Sequence, residues 1–292
     1  MLLALTMLFW SGSVVVGRAA ADLVPPVLFT ALRWSGALLI AVPFAWPHIA
    51  ADWRALWARK WIVALLSLLG VVAYNILVYR ALQSTTAVNA LLMQSVTPLA
   101  VLFATLLLFR ERTGWVQIAA IVVSVLGVLV IAAGGSLETL RSMTFNFGDG
   151  LVLLAVVVFA VYSAVLRLRP AVHPLSFLAA TFVIGLMVLV PLAILEYQAG
   201  ARLVASLPAF LAILYAGVFA SFLAILFYNR GVELVGATRA GQFSHLQPVF
   251  GTLLAVGFLS ESLQLHHFAG ITLIAAGLVL ANYGAIHPSP DA

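Results

Sequence analysis

The chain has 292 residues, of which 64% are hydrophobic and only 8% are charged. Soluble domains carry about 25% charged residues, so this composition excludes a soluble protein and indicates an integral membrane protein. The formal net charge is +5, but 14 lysines and arginines spread over the whole length exclude a nucleic-acid-binding patch. The absence of cysteine excludes disulfides and thiolate metal sites.

Ten apolar stretches follow one another along the chain, each close to the roughly 20 residues that a helix needs to cross a bilayer. They are apolar throughout and do not alternate, which favours helices over the strands of a transmembrane barrel. The sequence therefore predicts an all-α integral membrane protein with ten transmembrane helices and no soluble catalytic domain. The predicted spans are 2–21, 27–46, 61–80, 86–109, 115–133, 150–168, 174–194, 207–228, 237–258 and 266–286.

The distribution of lysine and arginine predicts the orientation of these spans. Nine of the 14 lie in loops on the side that both termini share, and four lie on the opposite side. Because basic residues are enriched in cytoplasmic loops, both termini are predicted to be cytoplasmic. The remaining one, Arg33, lies inside the second span. No basic residue precedes the first apolar stretch, so we expect a retained span there and not a signal peptide.

The second half of the sequence repeats the first at an offset of 149 or 150 residues. The chain is therefore predicted to consist of two five-helix repeats, at 1–137 and 138–292. Because five is odd, the second repeat enters the membrane from the opposite side, and inverted repeats of this kind are typical of secondary transporters with a site between the halves. The matched residues include Arg18 with Arg167, Pro25 with Pro174, Gly36 with Gly185, Arg80 with Arg230, Pro98 with Pro248, Glu111 with Glu261 and Gly127 with Gly277.

Several short motifs recur within this duplicated pattern. They are Trp10-Ser11-Gly12-Ser13 in the first span, Arg33-Trp34 in the second, a proline followed thirteen residues later by a glutamate in spans four and nine, and a glycine-rich last span in each half. In this combination the chain resembles the EamA family of the drug/metabolite transporter superfamily, and within it the YddG-type amino-acid exporters. The resemblance implies a multi-pass protein of the bacterial inner membrane that exports neutral or aromatic amino acids, or related metabolites, without a cofactor.

Two other functions stay open from the residues alone. One is export of drugs or cationic compounds, although the small multidrug members of the superfamily carry a glutamate in the first helix, where this sequence has Trp10 and Ser11. The other is a membrane-embedded transferase, which needs paired carboxylates or a Ser/His/Asp set at the interface. The nearest candidate for such a set is His266-His267 with Glu261. A transporter that is not an enzyme is the preferred interpretation.

Polar side chains inside the spans are the candidates for a binding site, because polar groups are costly to bury in lipid. The aromatic rings among them suit a solute with an apolar body, and the scarcity of charge favours a neutral or zwitterionic solute. For each residue alone, hydrogen bonding between helices is the alternative interpretation. The predicted substrate-binding residues are Trp10, Ser11, Tyr74, Asn75, Tyr79, Asn89, Gln94, Tyr162, Gln242, His245 and Gln247.

Arg33 stands apart from this set as the charged residue of the second span. It could pair with a substrate carboxylate, hold backbone carbonyls, or extend to the membrane interface. Pro98 and Pro248 are predicted to kink the fourth and ninth spans and to serve as hinges. Glu111 and Glu261 are predicted to be architectural.

The remaining predictions concern packing, coupling and partners. Small residues seven apart on spans five and ten are expected to pack within their own half, with a dimer seam as the alternative. They are Ala120, Gly127 and Gly134 on span five, and Gly270, Gly277 and Gly284 on span ten. His245 is the titratable mid-span residue that could carry a proton, but facilitated export without a coupling ion is preferred. The expected partners are a small-molecule substrate and membrane lipid, with no nucleic acid, and the protein is expected to be a monomer or a weak homodimer.

Overall fold

A computed structural model describes residues 1–110, 114–133, 146–259 and 265–286, and within these ranges every regular element is helical. The predicted repeat boundary after residue 137 and the predicted roles of Glu111 and Glu261 lie outside the described residues. The first half contains α1 (Leu2–Ala19), α2 (Pro26–Ala58), α3 (Lys60–Ser67), a π-helical turn (Leu68–Ala73), α4 (Tyr74–Ala81), α5 (Ala87–Gln94), α6 (Thr97–Phe109) and α7 (Trp115–Ala132).

The second half contains α-helices and a π-helical turn in the same order, together with two 3-10 turns. They are α8 (Phe147–Val165) with a 3-10 turn (Leu166–Leu168), α9 (Pro174–Gln198), α10 (Leu207–Tyr215), a π-helical turn (Ala216–Leu223), α11 (Ala224–Val235), α12 (Ala237–Gln242), a 3-10 turn (Phe243–His245), α13 (Leu246–Leu259) and α14 (Leu265–Ile286).

Six continuous helical segments of the described chain are long and apolar enough to cross a membrane, and three shorter apolar helices accompany them. The prediction of an all-helical, multi-pass membrane fold is confirmed, while the number of ten spans stays a prediction. The six long segments are Leu2–Ala19, Pro26–Ala58, Lys60–Ala81, Phe147–Leu168, Pro174–Gln198 and Leu207–Val235.

The second helix is much longer than its apolar stretch. We predicted a span that ends at residue 46, but α2 continues to Ala58 and includes Pro43 and Pro47. Beyond Trp46 the sequence loses its apolar character while alanine, leucine and arginine keep a high helix propensity. The apolar run therefore marks where the helix leaves lipid, and the helix itself extends further.

The fourth and ninth spans are interrupted before their prolines. A turn at Ser95 and Val96 separates α5 from α6, and a 3-10 turn separates α12 from α13. Pro98 and Pro248 then lie in the first turn of the following helix, where the missing N–H of proline leaves no hydrogen bond unmade. The prediction that the two prolines lie in the middle of a continuous helix is wrong, and their roles as kinks and hinges stay predictions.

A widened turn interrupts the third and eighth spans at matching positions. Each turn is π-helical, and a polar side chain bonds to the carbonyl five residues before it. Asn75 Nδ2 donates to the Gly70 carbonyl over 2.8 Å, and Ser221 Oγ donates to the Ala216 carbonyl over 2.8 Å. Such π-helical turns are rare and occur frequently at functional sites.

The main contacts between the halves occur in exchanged pairs. Helix α1 packs against α11 and α13, while α8 packs against α4 and α6. Helix α2 packs against the second π-helical turn, and α9 packs against the first. The pairs α2–α9 and α7–α14 join helices of equal rank. Each half therefore presents the same helices to the other, as in an interface with two-fold symmetry.

The small residues of the fifth and tenth spans lie in the contact between α7 and α14. A Cβ atom on Gly127 would lie 2.7 Å from the Gly270 carbonyl, and one on Gly277 would lie 2.7 Å from the Ala120 carbonyl. Glycine is needed here because the two backbones approach too closely for a side chain. The prediction of packing within one half is wrong for Gly127, Gly270 and Gly277, which join the two halves. For Gly134 and Gly284 it lies outside the described side chains.

Candidate functional site

A small cavity lies among α1, α2, α4 and α5. Its volume is about 20 Å³, which leaves room for one or two water molecules. Five of the eleven predicted substrate-binding residues line it, namely Trp10, Tyr74, Asn75, Tyr79 and Gln94. The other lining residues are Ser13, Val14, Arg33 and Val78.

Arg33 is the charged member of this lining, and its side chain is buried, with 4% of its surface exposed. Its Nε donates a hydrogen bond to Ser221 Oγ over 2.7 Å, and Nη1 donates to the Tyr79 hydroxyl. That hydroxyl is also 2.8 Å from Ser13 Oγ. The guanidinium lies over the Tyr79 ring at 5.4 Å and over the Trp34 ring at 5.3 Å. Neutral and aromatic groups thus surround a fixed positive charge.

Gln94 ends α5 at the edge of the same cavity. Its side chain is 2% exposed, and both of its amide atoms lack a hydrogen-bond partner in the described structure. Buried polar atoms without partners are uncommon in native proteins, because each costs about 1–3 kcal/mol. The Gln94 amide is therefore free to donate to, and accept from, a bound solute.

A layer of packed aromatic rings closes the centre of the bundle. Phe159 of α8 lies at its middle, with its ring 5.3 Å from Trp10, 5.2 Å from Tyr74 and 5.1 Å from Tyr228. Tyr162 lies 5.8 Å from Phe159. The Trp10 indole is fixed by a hydrogen bond of 3.1 Å from Nε1 to the Ala220 carbonyl. This aromatic layer contains residues of both halves and fills the seam between them.

A larger cavity of about 450 Å³, which we call the vestibule, lies at the end of the bundle that the charge distribution predicts to be cytoplasmic. Arg167, Arg169 and Glu233 line it, and Arg169 forms an ion pair of 2.9 Å with Glu233. Asn229 lies at its inner wall and accepts a hydrogen bond of 2.7 Å from the Tyr162 hydroxyl. The vestibule therefore extends inward as far as the aromatic layer.

Two carboxylates, the buried Asp149 and the half-buried Glu196, join the halves at the opposite end of the bundle, which we call the tied end. Asp149 is 2% exposed and accepts a hydrogen bond of 2.5 Å from Thr85 Oγ1, which joins α8 to the loop before α5. Glu196 of α9 accepts the backbone N–H of Leu28 over 2.9 Å and forms an ion pair of 3.4 Å with Arg80. These contacts cross between the halves and hold this end together.

The remaining predicted residues do not line the small cavity. Ser11 Oγ donates to the Gln247 carbonyl over 3.1 Å, so the structure brings these two together where α1 meets α13. Tyr162 belongs to the aromatic layer, and Asn89 lies half-buried in the first turn of α5. Gln242 and His245 are buried, and Gln242 Nε2 and both ring nitrogens of His245 have no partner in the described structure.

Arg33 and Ser13 are not among the eleven predicted substrate-binding residues, although both line the cavity. The sequence does single out Arg33, because it is the basic residue that lies inside a predicted span and not in a loop. Val14 and Val78 carry no such signal, because apolar residues are present throughout the spans. Within the described ranges, no three histidine, aspartate or glutamate side chains lie together as a metal site requires.

The sequence of this chain is similar to those of uncharacterized transporters, and its fold is similar to that of a solved structure. The model of the EamA-like transporter family matches residues 1–133 and 146–283. The uncharacterized transporter YetK of Bacillus subtilis is 26% identical over 280 residues, covering 94% of this chain and 84% of that protein. An uncharacterized transporter of Archaeoglobus fulgidus is 26% identical over 285 residues, covering 96% of each. A crystal structure that is 20% identical and covers 98% of this chain and 96% of its own shares the fold, with a TM-score of 0.76.

Proposed function

This chain belongs to the EamA-like transporter family, and we propose that it exports amino acids or related small metabolites across a bacterial inner membrane by alternating access. The observation that carries the proposal is the difference between the two ends of the bundle. One end opens into a vestibule of about 450 Å³, whereas contacts of the buried Asp149 and the half-buried Glu196 join the two halves at the other end. A transporter that opens to one side at a time requires such a difference between its ends.

The exchanged pairs of contacts between the halves support this mechanism. A two-fold relationship makes the two halves interchangeable, so the closed end can open when the open end closes. In our proposal the halves are inverted repeats, and the interruptions between α5 and α6 and between α12 and α13 give each half a place to bend. The π-helical turns of the third and eighth spans add a second matched pair of such places.

The chemistry of the centre supports an amino acid as the solute. The rings of the aromatic layer suit an apolar side chain, and the Gln94 amide offers hydrogen bonds to polar backbone groups. A cavity of about 20 Å³ does not hold an amino acid. In the proposed cycle the aromatic layer therefore separates when the solute enters from the vestibule.

The test is counterflow of a panel of L-amino acids in liposomes that contain the purified protein. We expect saturable exchange of at least one class of amino acid. Failure of every amino acid to exchange, in a preparation that is monodisperse and unfolds cooperatively, would contradict the proposal. Saturable exchange of organic cations alone would replace it with export of cationic compounds.

We also propose that export follows the gradient of the solute itself. In the described chain Asp149, Glu196 and Glu233 lie towards the ends of their helical segments, so none of these carboxylates lies where a proton would be exchanged at mid-membrane. The exchange rate is expected to stay unchanged when an ionophore collapses the pH gradient. A rate that falls with the gradient would assign a coupling role, and His245→Ala would then test the buried histidine.

A further inference from the structure

The buried charge of Arg33 has no counter-ion in the described structure. Nε and Nη1 donate to the hydroxyls of Ser221 and Tyr79, and no carboxylate of the described residues forms an ion pair with this guanidinium. Hydroxyls and ring faces satisfy part of the hydrogen bonding but supply no negative charge. A charged side chain within a membrane is costly unless a partner of opposite charge balances it.

The second half of the molecule shows that the fold does not require an arginine at this position. Since Gly36 matches Gly185, Arg33 matches Phe182, which is fully buried and packs against Trp34 with ring centroids 4.8 Å apart. Ser221, which holds Arg33, matches the buried Val71. At the same place in the two-fold arrangement, one half thus has an arginine with a hydroxyl and the other has two apolar side chains.

A second buried group points to a ligand at the same place. Gln94 lines the cavity together with Arg33, and its two amide atoms lack partners although its side chain is 2% exposed. An unbalanced cation and an unsatisfied amide beside one cavity form a site to which the described part of the chain supplies no anion.

We propose that Arg33 binds the carboxylate of the transported solute, with the Gln94 amide as a second donor. This assignment rests on the proposed transport function and deepens it, because it specifies the group by which the solute is recognised. Arginine offers a planar set of donors that matches a carboxylate, and a charge-assisted bond of this kind is about twice as strong as a neutral one. A single cation balances the single charge of a carboxylate.

Because the second half has Phe182 at the position that Arg33 occupies in the first half, the site has a positive charge on one side only. An amino acid that is held by its carboxylate at Arg33 directs its side chain towards Trp10 and Tyr74, which line the same cavity and belong to the aromatic layer. The amino group is not needed for this contact. Acids without an amino group are therefore expected to compete, whereas amides and amines of the same body are not.

The experiment compares sets of three solutes with the same body in the reconstituted protein: an L-amino acid, its carboxamide, and the acid that lacks the amino group. The sets are built on alanine, leucine and phenylalanine. In the wild-type protein, we expect the two acids to compete for counterflow and the carboxamide not to compete. With Arg33→Gln, we expect the apparent KM of the acids to rise roughly 30-fold or more and the preference over the carboxamide to disappear.

Three further variants separate binding from folding. Arg33→Lys keeps the charge but not the planar donors, and is expected to retain part of the preference. Gln94→Leu is expected to raise the apparent KM about tenfold with a fold that stays intact. If Arg33→Gln does not fold, these two variants carry the test. Arg18→Gln is the matched control, because Arg18 donates to the Leu82 carbonyl away from the cavity, and it is expected to behave as the wild type.

The outcomes distinguish this inference from the proposed function. Counterflow of amino acids with an unchanged preference in Arg33→Gln overturns the inference and leaves amino-acid export standing. Counterflow of the acids that lack an amino group, lost in Arg33→Gln but without any amino-acid transport, supports the inference and overturns amino-acid export. If the carboxamides are transported as well as the acids, or no acid is transported, the inference is wrong.

Discussion

Carboxylates make polar contacts at both ends of the bundle, but they are exposed to water to different degrees. At the tied end, Asp149 is buried and its carboxylate accepts a hydrogen bond from Thr85. At the vestibule, Glu233 pairs with Arg169 and Arg230, but 42% of its side chain is exposed. Water competes for an exposed ion pair, so such a pair contributes less than about 1 kcal/mol, whereas buried charge-assisted bonds contribute about 1.5–3 kcal/mol. In the proposed mechanism, burial, and not the number of charges, determines which end is held closed.

Removing the ring between the two ends is expected to have the largest effect. Phe159→Ala deletes a ring that contacts Trp10, Tyr74 and Tyr228, and should lower the free energy of unfolding by about 3 kcal/mol. It should also join the vestibule to the small cavity. Thermal unfolding measures the first effect.

Labelling of a single cysteine measures the second effect of Phe159→Ala. The chain has no cysteine of its own, so Val78→Cys provides a unique thiol in the cavity lining. Maleimide added from the vestibule side should label it faster in the Phe159→Ala background. Equal labelling rates in the two backgrounds would show that the aromatic layer does not separate the compartments. Phe103→Ala, at an exposed ring on α6, is the matched control.

Releasing the tied end is expected to have an intermediate effect. Asp149→Ala removes the bond from Thr85 and also the capping of α8 by its first-turn carboxylate, and should cost about 2 kcal/mol. Thr85→Val removes the first contact alone and should cost less. Both variants should raise the labelling of the Val78→Cys thiol from the tied side. A loss of stability without a change in labelling would mean that this contact holds the fold and not the conformation.

Changing the exposed carboxylate is expected to have the smallest effect. Glu233→Gln removes the ion pairs with Arg169 and Arg230 and should change the free energy of unfolding by less than about 1 kcal/mol, and less still at high salt. Labelling from either side should match that of the wild type. A loss as large as that of Asp149→Ala would contradict the comparison between the ends.

The membrane class and the helical elements followed directly from the sequence, because long apolar runs have no other stable conformation in lipid. The end of α2 did not, since the apolar run reports contact with lipid while the helix continues to Ala58. The interruptions before Pro98 and Pro248 were missed as well. A proline predicts a missing hydrogen bond but does not tell whether the preceding turn stays helical.

The candidate site was predicted only in part because composition does not reveal which side of a helix faces the cavity. Asn89 and Gln94 belong to the same helix, but five residues turn the chain by about 140°, so only Gln94 lines the cavity. On the other interrupted span, His245 and Gln242 are buried and have polar atoms without partners, but neither residue lines the cavity. The sequence shows Arg33 as an isolated charge inside a span, but its position between Tyr79 and Ser221 follows only from the fold.

The close contact of α7 with α14 has a consequence for biogenesis. The ribosome produces α7 about 150 residues before α14, so the face of α7 that carries Ala120 and Gly127 has no α14 to pack against while most of the second half is still being synthesised. The contact between the halves at α7 and α14 therefore forms only after α14, the last helix of the described chain, has been synthesised. A chain that stops short of α14 would leave this face of α7 without its partner helix.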